Sequence, residues 1–249
     1  MVGSLADIVF RPEAFLRSRP EAYDQGWRGK SRVAGRSVAF LAVNLLLYAA
    51  PLTVVFAGIA ETDPLAGVLL VSYPFVLLTG VTVWAFHAAV VLTRNSRGFV
   101  ASFQTVTTTV GAYLALAIGF AFPVLLARGA LGEFLRGATL YLFIFSGDSV
   151  TAPSPSQITV VLAVVAGCYY AYSLYVAARV RHGATRSEGG IVMALSLMPS
   201  VLIFPWLTSA QESSLPPIFH STDLIVIGAV LGSLSVIAVS TDLIRSSLQ

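Results

Sequence analysis

Charge is what this chain lacks most. Its 249 residues hold 15 Lys+Arg and 12 Asp+Glu, or 11%, against about 25% in an ordinary soluble domain. Apolar residues make up 56% and the mean hydropathy is +0.82. So few charges cannot cover a water-exposed surface of this size. Disorder of the body is excluded as well, since it requires low hydrophobicity and high net charge. Cysteine is nearly absent. Cys168 stands alone, so no intramolecular disulfide can form, and it reads as a small packing residue. The three histidines, His87, His182 and His220, are scattered and form no HExxH, and no GxSxG occurs. These absences leave no visible metalloprotease site or hydrolase nucleophile, so the expectation is a non-enzyme with no metal and no cofactor.

What remains is a series of long apolar runs. A hydrocarbon core takes roughly 20 residues of helix to cross. Six uncharged stretches of at least 18 residues qualify: Ser37–Ala60, Pro64–Thr93, Gly98–Ala127, Ser149–Ala178, Gly189–Gln211 and Leu224–Thr241. A shorter piece, Gly137–Gly147, reads as an interfacial or re-entrant helix between the third and fourth spans. The runs lack the alternating polarity of barrel strands. The expectation is an all-α polytopic transmembrane bundle of six spans. It comprises a basic segment over 1–36, a transmembrane domain over 37–245 and a short tail over 246–249.

Basic residues orient it. Six crossings put 13 of the 15 on one side and leave Arg128 and Arg136 on the other. Both termini are therefore expected in the cytoplasm of a cell-membrane protein. The first 36 residues show no signal-peptide core. Leu5, Ile8, Val9, Phe15 and Leu16 suggest short amphipathic segments on the leaflet; the other reading is a partly disordered basic tail. Arg28, Lys30, Arg32 and Arg36 are the candidate headgroup contacts, drawn to anionic lipid. Nucleic acid is not an expected partner, because Asp7, Glu13, Glu21 and Asp24 offset the basic residues of this segment. Membrane lipids, cytoplasmic or membrane proteins, and further copies of the chain are.

The span cores carry no Asp, Glu, Lys or Arg. Pumps and ion-coupled transporters use ionisable groups at depth, so that class is disfavoured; a permease or channel for a neutral or apolar solute stays open. The most polar interior place is the hairpin around Arg94-Asn95-Ser96-Arg97. His87 and Gln104 are each seven residues from this turn, hence level in an antiparallel pair, and are expected to hydrogen-bond. Gln104, Thr108, Gly111, Ala115 and Gly119 form a stripe of small or polar residues suited to close helix packing. Ala163, Gly167 and Ala171 repeat the pattern, as do Gly228 and Gly232. Tyr169, Tyr170, Tyr172 and Tyr175 read as part of an interfacial aromatic belt.

Several segments together resemble the Yip family of Ypt/Rab-interacting membrane proteins, in its prokaryotic branch. Asp7-Ile8-Val9-Phe10-Arg11-Pro12-Glu13-Ala14-Phe15 is similar to the segment preceding that family's first span. The run WAFHAAVVLTRNSRGFVASFQTVTTTVGAY, from Trp84 to Tyr113, looks like its intramembrane His, Gly-containing basic turn and polar-to-small third span, with Pro123 beyond. Tyr170 to His182, with a new span after Gly189, resembles the next connection. The resemblance implies a multi-pass protein of membrane organisation, trafficking or scaffolding, without catalysis. The Asp-Leu-Tyr-Gly-Pro motif of the eukaryotic members is absent, so Rab binding is not carried over.

Overall fold

The computed structural model of the chain describes residues 11–19, 21–60, 64–126, 157–208 and 221–248. Among them every regular element is an α-helix. A one-and-a-half-turn helix, α1 (Pro12–Arg17), precedes α2 (Trp27–Ala60), α3 (Pro64–Leu92), α4 (Phe99–Leu126), α5 (Gln157–His182), α6 (Arg186–Thr208) and α7 (Ser221–Ser247). The all-α expectation therefore holds. The segment expected to be re-entrant, Gly137–Gly147, lies outside the described residues. Two helices contain a described stretch long and apolar enough to cross a membrane, Phe75–Leu92 in α3 and Ala229–Ser247 in α7.

Several of the long helices overrun their apolar runs. Helix α2 begins at Trp27, ten residues before Ser37, and its 34 residues extend about 51 Å at about 1.5 Å each. Helix α5 runs past Ala178 to His182. Arg28, Lys30, Arg32 and Arg36 on α2 and Arg179 and Arg181 on α5 thus sit on helical extensions, whereas Arg94 and Arg97 lie in the α3–α4 turn.

Two turns close the hairpins tightly. Helix α3 ends in a Schellman motif: Arg94 N–H donates to Val91 O at 3.0 Å and Asn95 N–H to Val90 O at 2.9 Å, with Arg94 in the left-handed region at φ 59°. Between α5 and α6, Thr185 and Glu188 form a capping box. Glu188 N–H donates to Thr185 Oγ1 at 3.4 Å, and Thr185 N–H donates to Glu188 Oε2 at 2.8 Å, so two of the helix's orphan donors are satisfied.

Helices α3 and α4 form the centre, each packed against α2, α7 and one another, with α6 against α3 and α5 against both α4 and α6. Their apolar faces meet through Val83, Phe86, Val90, Val106, Val110, Leu114, Leu174 and Val192. Two of the buried threonines of α4 avoid a desolvation cost by bonding back to their own helix: Thr107 Oγ1 donates to Phe103 O and Thr109 Oγ1 to Thr105 O. Gly111 sets the α2–α4 approach. A Cβ there would lie 2.8 Å from Phe40 and 3.3 Å from the Leu41 backbone. Helix α7 lies at the edge, with Val230, Leu234, Val236, Ile237 and Ile244 exposed.

Candidate functional site

Polar groups gather at one end of the bundle, where α1, the start of α2, the α3–α4 and α5–α6 turns and the end of α7 converge. Asp242 on α7 is its hub. One carboxylate oxygen accepts the Val100 N–H at 2.9 Å and the other takes Lys30 Nζ at 3.2 Å. Val100 lies in the first turn of α4, where backbone N–H groups lack partners within the helix and a negative charge is stabilised. The two side chains of the ion pair are only 12% and 14% exposed. Gly98 makes room for this contact: at φ +95°, any Cβ would come within 2.9 Å of Asp242 Oδ2. One carboxylate therefore ties α2, α4 and α7 together.

Arg181 performs the equivalent task for α1. It is 2% exposed, and its Nη2 donates to Leu16 O and, at 2.7 Å, to Arg19 O. A guanidinium thereby caps the end of α1, where Leu16 O also accepts the Arg19 N–H at 3.2 Å. Burial holds Arg181 below the ordinary arginine value, while Glu21 and Tyr23 act in the opposite sense. Around it, Arg19 lies over the rings of Phe15 and Phe40 at 4.7 and 4.8 Å, and Arg97 lies over Tyr23 at 4.8 Å. The adjacent His182, 1% exposed, accepts the Arg97 N–H at Nδ1 over a long 3.4 Å. Its ring meets Phe86 edge-on at 5.4 Å. Burial pushes its pKa down to about 4, with the nearby cations Arg97 and Arg181 adding to the shift. His182 is therefore a neutral ring at pH 7.

Deeper in the α3–α4 hairpin, His87 Nδ1 lies 3.1 Å from Ser102 Oγ. The hydroxyl facing the ring is that of Ser102, two residues before the expected Gln104. Depth counting assumes a symmetric turn, whereas α3 stops at Leu92 and α4 starts only at Phe99. Two residues also turn about 200° round a helix. Gln104 is itself buried, at 3% exposed. Trp84 flanks the ring and donates Nε1–H to Ser235 Oγ at 3.0 Å.

The expected packing residues divide. Thr108 is buried and Gly111 makes the closest helix approach described above. Gly167 and Gly232 have open space where a Cβ would stand, so among the described residues neither meets a neighbouring helix there. Ala171 is half-buried. The side-chain surroundings of Ala115, Gly119, Ala163 and Gly228 lie outside the described residues. The expected headgroup contacts divide too. Lys30 is committed to Asp242, which corrects its placement among them. Arg28, Arg32 and Arg36 are exposed, one turn apart along α2, beside the exposed Trp27. Phe15 and Leu16, expected on the leaflet, are 3% and 2% exposed and pack into the protein's own core.

Arg181, His182, Asp242 and Ser102 were not legible as site residues. The signals nearest to them were the Thr-x-x-Glu capping box after His182 and an acid, Asp242, closing an apolar run. No protein-family model matches this chain, and neither a curated protein nor a solved structure is found to match it.

Proposed function

We propose that the chain is a six-span integral membrane protein of the Yip type, with both termini in the cytoplasm, that organises membranes or scaffolds partners without catalysing a reaction. The observation carrying this reading is the polar end of the bundle. Lys30, Arg97, Arg181 and Asp242 come from four segments that the basic-residue bias independently allots to one side. The ties between neighbouring segments, Lys30 to Asp242, the Val100 N–H to Asp242, the Arg97 N–H to His182 and Arg181 to the Arg19 carbonyl, support placing them on the same side. The apolar exposure of α7 supports the same reading, since lipid is the solvent such a face requires. Toward the cytoplasm, the exposed Arg28, Arg32 and Arg36 provide a basic stripe for anionic headgroups or an acidic partner.

Two experiments test this. Topology reporters fused after residues 95, 184 and 249 are expected to read cytoplasmic, and those at 62 and 214 external; an external C-terminus overturns the six-span reading. For the scaffolding role, crosslinked partners captured with the full chain are compared with those of an R28Q/R32Q/R36Q variant, whose changes disturb none of the ties at Asp242 or Arg181. Loss of partners supports recruitment through the stripe. An unchanged set overturns it, and solute-dependent swelling of proteoliposomes would point to a permease instead.

A further inference from the structure

Between α1 and α5 lies an open cleft of about 670 Å³ lined by Arg11, Pro12, Glu13, Ala14, Arg17, Tyr169 and Tyr172. We infer that it is a headgroup site for an anionic phospholipid of the cytoplasmic leaflet, an inference that rests on the membrane reading above. The cleft wall is fixed from behind. Phe15 and Leu16 anchor α1 in the core, and Arg181 holds the Leu16 and Arg19 carbonyls. The side of α1 facing the cleft is therefore presented in one position.

The lining has the chemistry of a phosphate site. It brings two guanidinium groups against one carboxylate. Arg17 Nη2 rests on Glu13 Oε1 at 2.6 Å, with the two side chains 70% and 58% exposed; a surface pair of this kind is worth little and can be exchanged for a phosphate. Tyr169 and Tyr172 are 41% and 49% exposed, and tyrosine is a residue that favours the headgroup level. A soluble phosphate would need only the guanidiniums. A lipid also needs a path for its acyl chains. That path continues from the tyrosines along α5 over the exposed Gly167 and Cys168, where a Cβ added at Gly167 would meet nothing.

The test measures retention of phosphatidylglycerol by the full chain in phosphatidylcholine nanodiscs, read by native mass spectrometry. Each arginine near the surface contributes about fivefold to anionic-lipid affinity, so R11A/R17A should bind about 25-fold more weakly. E13Q, which frees Arg17 and removes the opposing charge, should bind several-fold more tightly, a gain that no misfolded protein would show. R28A/R32A/R36A should leave occupancy of this site unchanged. Wild-type affinity in R11A/R17A, weaker binding in E13Q, or loss of occupancy in R28A/R32A/R36A overturns the assignment. So does displacement of the lipid by glycerol phosphate at comparable concentration, which would identify a soluble phosphate as the ligand. Release of the native chain from membranes by alkaline carbonate would instead overturn the membrane reading, whatever the cleft binds.

Discussion

Removing the Asp242 carboxylate should unfasten three helices at once, and the structure allows the loss to be apportioned. The Val100 N–H to carboxylate bond is charge-assisted and contributes about 1.5–3 kcal/mol. The Lys30 pair is 12–14% exposed. It falls between surface pairs of about 0–1 kcal/mol and buried ones, whose rupture costs about 3–5 kcal/mol. Asp242→Ala should therefore cost about 3 kcal/mol. Asp242→Asn keeps an acceptor for Val100 and loses only the charge, so about 1–1.5 kcal/mol is expected. Lys30→Met removes the pair alone, at about 1 kcal/mol. Gly98→Ala strikes the same contact from the other side, forcing a Cβ toward Oδ2 at a strained φ, and should cost about 2 kcal/mol. Unfolding in mixed micelles, followed through tryptophan fluorescence, gives the ranking; Trp84 is a suitable reporter because it bonds Ser235 on the same α7. If Lys30→Met cost more than Asp242→Ala, or Asp242→Ala cost under about 0.5 kcal/mol, the hub assigned to this carboxylate would be wrong.

Three other outcomes are expected. Arg181→Met should release α1, so trypsin cleavage after Arg17 should accelerate at least tenfold while the long helices stay resistant; cleavage at the wild-type rate would show that Phe15 and Leu16 suffice to hold it. Gly111→Val should cost about 1–3 kcal/mol through collision with Phe40 and Leu41. Gly167→Val and Gly232→Val should show no steric collision and change stability by less than about 1 kcal/mol, the helix-propensity difference that remains; equal effects at all three sites would refute the distinction. His182 has a folded-state pKa of about 4 against an ordinary 6.5. The unfolded chain thus binds a proton first, and stability falls as pH drops from 6.5 to 4, by up to about 3 kcal/mol. His182→Gln should flatten that part of the pH–stability curve, measured by unfolding midpoints between pH 7 and 4.

Helix content and position were legible because an uncharged run admits few alternatives: each of the six apolar stretches overlaps one long helix. The Gly111 contact was legible for a similar local reason, since a small residue within a polar stripe marks where backbones can approach. Tertiary pairing was not legible. Lys30 is 212 residues from Asp242 and Arg181 is 165 from Leu16, and nothing in the local pattern couples such positions. The His87 partner was missed by two residues because spacing fixes depth only when turn geometry is known. The left-handed Arg94, at a position where glycine is usual, concealed that geometry.

The charges themselves show why the sequence reading was incomplete. Counted as a topogenic signal, Lys30, Arg97 and Arg181 are interchangeable, for orientation depends only on their number near each span. In the folded chain they have separate partners: a carboxylate, a tyrosine ring and two carbonyls. Lys30 and Arg181 are thereby withdrawn from the surface that a count of basic residues would assign to headgroups, whereas Arg97 stays exposed beside its ring. On the N-terminal segment, what remains exposed for lipid or partner is Arg28, Arg32 and Arg36 on α2 together with Arg11 and the loosely paired Arg17; Arg94, Arg179, Arg186 and Arg245 are exposed as well. A basic residue with a buried partner should affect stability when replaced, and one without should affect binding. Replacing the two sets separately therefore distinguishes the residues that hold the bundle from those that give it something to hold.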